Sequence, residues 1–372
     1  MSMIPVNTPR LAGNEAAYLQ ECIETGWISS EGPFVSRFES AFAKVVDQKF
    51  GIAVTNGTAA LECAIAALRI GPGDEVILPT FTIISCASAI VRAGATPVLV
   101  DLDPTTWNMD VQQIATKITA RTKAIMAVHL YSLPADMDPI LQLCEQHGLF
   151  LIEDAAEVHG QTYKGRPCGS FGHISTFSFY PNKHLTTGEG GMVLTNDEAL
   201  AERCRSLRNL CFQPQKRFVH EELGWNWRMT NLQAALGLAQ LEQLEEVVKL
   251  KRQMGDRYRE SLKELEAYFE FPPSDKSYSK NIYWVFGLVV KSQSPVSLSS
   301  ITDALKKHRI GTRPFFWPMH EQPVFKKMGL FQDEKYPVAE HLARNGFYLP
   351  SGLGLSETDQ NKVADCLKEI MG

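Results

Sequence analysis

No stretch of the 372 residues approaches the ~18 consecutive apolar positions that a membrane-spanning helix needs, which excludes a helical membrane protein. Basic charge is not in excess: 37 Lys+Arg stand against 42 Asp+Glu, and a formal charge of -5 offers no field for nucleic acid or an anionic bilayer. The eight cysteines (Cys22, Cys63, Cys86, Cys144, Cys168, Cys204, Cys211, Cys366) show neither C-x-x-C nor His-paired spacing. Neither a zinc knuckle nor a disulfide framework is indicated, and no metal is expected. The opening MSMIPVNTPR has no apolar signal core, so the cytoplasm is the expected compartment. Internal repeats and low-complexity tracts are missing as well.

What is present describes a folded, water-soluble chain, with 44% hydrophobic and 21% charged residues. Against a prior of roughly 150 residues per domain the length suggests two units. From about Phe50 to Asp197 short β-branched runs alternate with helical stretches, the pattern of a mostly parallel sheet with crossover helices. Seven strands are expected, at Phe50–Thr55, Glu75–Leu78, Thr96–Asp101, Lys123–His129, Leu149–Asp154, Ile174–Tyr180 and Met192–Thr195. Helices are expected between them, for example Thr58–Arg69 and Met137–Gly148. After Asn231, Leu and Ala recur at intervals of three and four, predicting one long helix or two consecutive ones. The polar segment FPPSDKSYSK then precedes a strand in YWVFGLVV, a helix near Leu298–His308 and further helices. The reading is a large α/β domain at 1–245, N-terminal segment included, and a smaller C-terminal α+β domain at 246–372.

Ligands of a doubly covered sheet sit at the carboxyl ends of its strands, and three motifs fall there. Asn56-Gly57-Thr58 lies at a strand-to-helix turn, where free backbone N–H groups and a hydroxyl form an anion site; Thr58 as a simple N-cap is the alternative. Asp154 closes the apolar run LFLIED, either beside a ligand or as a helix cap. Lys183 lies in FSFYPNKHLTTGEGG, between two expected strands, where a solvated charge is the alternative. Together these supply what pyridoxal 5'-phosphate requires: an amine for a Schiff base, a carboxylate holding the pyridine nitrogen protonated, and a phosphate cradle. Phe81 could stack on the ring and Ser178 could add a hydroxyl, with a core Phe and a strand Ser as the plainer readings.

At these residues the sequence resembles the sugar aminotransferases of the DegT/DnrJ/EryC1/StrS family, pyridoxal-phosphate enzymes of fold type I, the aspartate aminotransferase architecture. The likeness runs over nearly the whole chain, through GWISSEGPFVSRFE, NGTAAL, GDEVILPTFT, GATPVLVDLD, IEDAAEVHG, FSFYPNKHLTTGEGG, NWRMTNLQAALGLAQLE and TRPFFWPMHEQP. The resemblance implies that Lys183 forms the Schiff base, Asp154 partners the pyridine nitrogen and Phe81 stacks on the ring. It also implies that Gly57, Thr58 and Ser178 bind the phosphate. Asn231, otherwise a helix N-cap, would reach that phosphate from the neighbouring subunit of a homodimer. Where many relatives carry Gln beside the phenolic oxygen this chain has Glu157, which would either carry a proton with a raised pKa or orient the ring differently. His159 and His184 are expected to be packing or solvated residues.

The implied activity is amine transfer from L-glutamate to C4 of a nucleotide-linked sugar. TTWNMD, NKHLTTGEGG, NWRMTN and RPFFWPMH are most similar to members acting on GDP-4-keto-6-deoxy-D-mannose for surface polysaccharide (O-antigen) synthesis. A UDP- or dTDP-linked 4-keto-6-deoxyhexose is the alternative. A dehydratase branch of the same fold carries histidine in place of the lysine, and retention of Lys183 favours transamination. Sugar and nucleotide contacts are expected from Arg228, Arg313, Phe316, Trp317 and His320.

Overall fold

The computed structural model describes residues 3–213, 215–273 and 275–372. Seven strands form the main sheet: β1 (Phe50–Val54), β2 (Glu75–Pro79), β3 (Thr96–Val100), β4 (Thr122–Val128), β5 (Phe150–Asp154), β6 (Ile174–Ser178) and β7 (Gly191–Thr195). Their order is β1-β7-β6-β5-β4-β2-β3. β7 runs antiparallel to both neighbours and every other pair is parallel, so β1, β6 and β5 all end on the same edge. Every residue of β2 and β7 is buried, as is most of β4, because helices cover both faces; such strands read as continuous apolar runs rather than as alternation.

Two apolar cores follow from that covering. On one face α3 (Gly57–Ala67) and α4 (Ile84–Arg92) pack with α7 (Glu198–Arg208); on the other lie α2 (Pro33–Val45), α6 (Met137–His147) and α8 (Asn231–Leu241). Helix α1 (Glu15–Thr25) packs on α8, and the short α5 (Val111–Lys117) follows β3. The helix starts carry their own caps. Asn56 accepts from Ala59 N at 2.8 Å, Asp197 from Leu200 N at 3.0 Å, and Thr230 with Gln233 forms a capping box.

The long helical stretch after Asn231 breaks into α8 and α9 (Leu244–Leu262). Beyond it four antiparallel strands, β8 (Phe269–Glu270), β9 (Phe286–Val290), β10 (Arg313–Pro314) and β11 (Gly346–Leu349), form a second sheet in the order β8-β9-β11-β10. It buries a third core against α9, α10 (Leu298–Lys307) and α13 (Glu357–Met371). Two further α-helices are α11 (Pro323–Lys327) and α12 (Pro337–Asn345).

Two features lie across the expected 245/246 boundary. Helix α9 starts two residues before it and carries the chain into the second lobe without a linker. Residues 4–8 belong by contact to the C-terminal lobe: Ile4 bonds both Arg309 and Gly311 at 2.9 Å, Val6 O accepts from Ser351 N and Thr8 O from Gly354 N. The first strand-like residues therefore dock on the small lobe, whereas the expected division put them with the large one. All eight cysteines are free and buried. Among the described residues no helix is long and apolar enough to cross a membrane.

Candidate active site

A cavity of about 700 Å³ opens at the shared edge where β1, β5 and β6 end. Its floor is built from loops that strand geometry fixes. Gly57 and Thr58 open α3, whose first N–H groups face the cavity, and Thr58 Oγ1 is 2.8 Å from Ser85 Oγ. A Cβ on Gly57 would lie 2.7 Å from Cβ of Ser178, so glycine alone lets the helix start and the end of β6 approach this closely. Ser178, Asp154 and Lys183 line the same space.

Asp154 is buried, its Oδ1 accepting from Ala156 N at 3.1 Å and its Oδ2 from the thiol of Cys86 at 3.1 Å. Glu157, one turn further on, accepts from Tyr131 N at 2.9 Å and meets Lys183 Nζ at 3.5 Å. Burial drives the Glu157 carboxyl up to about 7; the Lys183 charge and the Tyr131 N–H pull it back, and Asp154 adds a smaller push. Tyr131 and Ser132 both hold left-handed φ, at 51° and 71°. That strained turn is pinned by Ser132 Oγ donating to Glu157 O at 2.5 Å, and it presents the Tyr131 N–H to the Glu157 carboxylate.

The remaining expected residues separate. Phe316 lines the cavity, its ring stacked on Tyr131 at 5.7 Å and 6°. Phe81 does not: it has no exposed surface and sits edge-on behind Phe316 at 6.0 Å, while Thr82, Ile83 and Ser85 just beyond it line the cavity, Ile83 being 43% exposed. Asn231 is also wholly buried. Its Oδ1 accepts from Phe34 N at 2.8 Å, and its Nδ2 donates to Trp27 O at 2.6 Å and Cys22 Sγ at 3.2 Å. Both amide hydrogens are spent inside its own protomer, which leaves none for a neighbour's phosphate.

His320 is likewise buried and fully engaged, with Thr80 Oγ1 at 2.8 Å and Glu340 Oε1 at 3.2 Å. It braces the 315–321 segment against the end of β2 instead of facing the cavity. Arg313 is exposed on β10 and Trp317 lies under the Arg344 guanidinium; neither lines the cavity. Arg228 donates to Asn209 at 2.8 Å in a separate recess of about 180 Å³ shared with Arg205 and Arg208. Among the described residues the one group with metal-ligating reach is His320, Glu321 and Glu340, and Arg344 pairs with both of its carboxylates.

Several cavity residues carried no local signal. Trp284, Tyr348 and Trp227 read as ordinary core aromatics, yet all three line the cavity. Ser85 could have been found from the hydroxyl-rich run PTFTIIS. His159 and His184 pack behind Lys183; burial holds His159 down at about 3 and His184 well below its ordinary value, so both rings are neutral.

The donor set fits pyridoxal phosphate: a helix start with three hydroxyls for the phosphate dianion, a carboxylate across the cavity, and one lysine between aromatic walls.

Comparison with known proteins gives the same class. The model of the DegT/DnrJ/EryC1/StrS aminotransferase family matches residues 9–368. The chain is 41% identical to the GDP-perosamine synthase of Escherichia coli O157:H7, covering 100% of this chain and 99% of that one. It is 42% identical to the GDP-perosamine synthase of Caulobacter vibrioides, covering 99% and 98%. The X-ray structure of an aminotransferase from Psychrobacter cryohalolentis superposes with a TM-score of 0.91 at 32% identity over 98% of both chains, which establishes the fold type I architecture. Aminotransferases of this family depend on pyridoxal phosphate, and the chain belongs to the DegT/DnrJ/EryC1/StrS aminotransferase family.

Proposed function

We propose that this enzyme moves the amino group of L-glutamate to C4 of GDP-4-keto-6-deoxy-D-mannose, giving GDP-perosamine. Full-length similarity to two synthases of that name supports the substrate. The observation that supports the chemistry is the convergence of Lys183, Asp154 and the start of α3 on one cavity from three separate segments of the chain. Bound there, pyridoxal phosphate would supply an electron sink and an amine carrier.

The chain's own residues divide the work. Lys183 would be the residue that holds the cofactor's aldehyde carbon, and its amine nitrogen would serve as general base and acid, taking a proton from one reacting carbon and returning it to another. Asp154, held by Ala156 N–H and the Cys86 thiol, would be the acceptor facing the cofactor's ring nitrogen. Thr58, Ser85, Ser178 and the free N–H groups of α3 anchor a phosphate. Glu157 stands beside Lys183 and holds a proton near neutrality. Trp284, Phe316, Tyr348 and Ile83 exclude water from the reacting atoms. One lysine serving both amine donor and keto sugar predicts ping-pong kinetics.

A homodimer, a cytoplasmic location and a role in O-antigen synthesis are part of this reading. The test is a panel of GDP-, UDP- and dTDP-linked 4-keto-6-deoxyhexoses with glutamate and cofactor, scored by mass for the 4-amino product. Conversion of the GDP sugar is expected; conversion of UDP or dTDP sugars alone overturns the substrate assignment.

A further inference from the structure

Trp284 is a small-lobe residue, just before β9, that reaches the centre of the site. Lys183 Nζ lies over its ring, 3.8 Å from the centroid, well inside the ~6 Å range of a cation–π contact. The ring cannot turn away, because three hydrogen bonds fix the residue: its N–H donates to Ser132 Oγ at 2.7 Å, its indole Nε1–H to Asn182 O at 2.7 Å, and its carbonyl accepts from Lys251 Nζ at 2.8 Å. The rings of Tyr131 and Phe316 lie nearly parallel to it, at 15° and 19°. On its other side the lysine meets Glu157 Oε1 at 3.5 Å.

We propose that Trp284 is the perch of Lys183 whenever that side chain is not bonded to cofactor, a positioning residue that holds the protonated amine and lets go of the neutral one. An aromatic face attracts an ammonium through its quadrupole and has far less hold on a neutral amine. The perch is therefore sensitive to the proton that the lysine must give up. Imine formation consumes the neutral amine: Nζ bonds the aldehyde carbon, and the carbonyl oxygen leaves as water with both amine hydrogens. The ammonium has first to release one proton to Glu157 or solvent. Other groups face the same spot: Asp154 at the end of β5 and Glu157 after it, His159 and His184 behind the lysine, Tyr348 on β11, and Lys251 behind Trp284. They are unchanged in a Trp284 variant, so a difference reports the ring.

This inference rests on Lys183 being the imine-forming residue, and the experiment separates the two. Apoprotein is mixed with pyridoxal phosphate from pH 6 to 10 and the rate of imine absorbance is followed. Affinity for pyridoxamine phosphate, which cannot form the imine, is measured alongside. In Trp284→Leu the pH of half-maximal rate is expected to fall by about 0.5–1 unit, with pyridoxamine phosphate affinity kept within about twofold. Trp284→Phe, with a smaller ring and no indole N–H, is expected to shift less in the same direction. An unchanged midpoint in both variants overturns the perch, as does a more than tenfold loss of pyridoxamine phosphate affinity in both, which would make Trp284 a wall and nothing more. A wild-type protein that develops no imine colour instead removes the assignment of Lys183.

Discussion

Glu153 and Asp154 are consecutive carboxylates at the end of β5, both buried, and they face opposite sides of the sheet. Glu153 points into the structure, accepting from Phe171 N at 2.9 Å, Gly172 N at 3.0 Å, Gly169 N, and His129 Nε2 at 2.9 Å. Asp154 points into the cavity and takes one backbone N–H and one thiol. The difference is the two-residue period of a strand, which gave one acid a loop to hold and the other a ligand to meet. A saturated carboxylate is structural; one with spare lone pairs at a strand's carboxyl end is available for chemistry.

Breaking the pair should separate catalysis from folding. Asp154→Asn is expected to lower kcat by roughly 10²–10³-fold with little change in melting temperature, since the amide keeps the shape and loses the charge; steady-state kinetics with a thermal melt checks both. Glu153→Ala is expected to do the reverse, costing about 3–5 kcal/mol of stability by stranding three buried N–H groups and His129. Its surviving folded fraction should still develop imine colour, and a denaturant titration gives the cost.

Lys251 and Glu157 sharpen the comparison, as buried charges with opposite pH signatures. Among the described residues Lys251 has only the carbonyls of Trp284 and Ser351 for partners, and burial pulls its amine from 10.5 to about 7. Between pH 7 and 10.5 the unfolded chain carries a proton that the folded chain has lost, so stability rises with pH across that window, by about 5 kcal/mol in all. Lys251→Met should flatten that slope in urea titrations run at each pH. Glu157 moves the other way, its folded value of about 7 lying above the ordinary 4.5. The folded chain holds the extra proton, so stability falls from pH 4.5 to 7, by about 3 kcal/mol, and Glu157→Gln should remove that slope. The smallest expected effect is Asn231→Ala, about 1–2 kcal/mol from the lost tie between α8 and the 27–34 segment, with cofactor affinity unchanged by equilibrium titration.

Much of the large sheet was legible in the sequence. All seven expected strands exist, with ends moved by one or two residues, because fully covered parallel strands need long β-branched runs between turn residues. The motifs that meet at the cavity were legible for the same reason, each lying just past a strand. The small lobe was less so: β8 and β10 have two residues each, and such short edges leave no periodic signal. Trp284 sits inside a run that looks like core, and it is core on every side except the one that holds Lys183.

By itself the sequence determined the family, the strand order of events along the chain and the positions of the loops that carry Gly57, Asp154 and Lys183, since these depend on local turn chemistry and on the apolar period. Only the tertiary structure decided which neighbour in each loop faces the cavity. Ile83 reaches it while Phe81 is covered, Phe316 reaches it while His320 is locked to Thr80, and Asn231 turns inward to Phe34 and Trp27. Those choices are made by packing between segments far apart in the chain, whose partners no local pattern names.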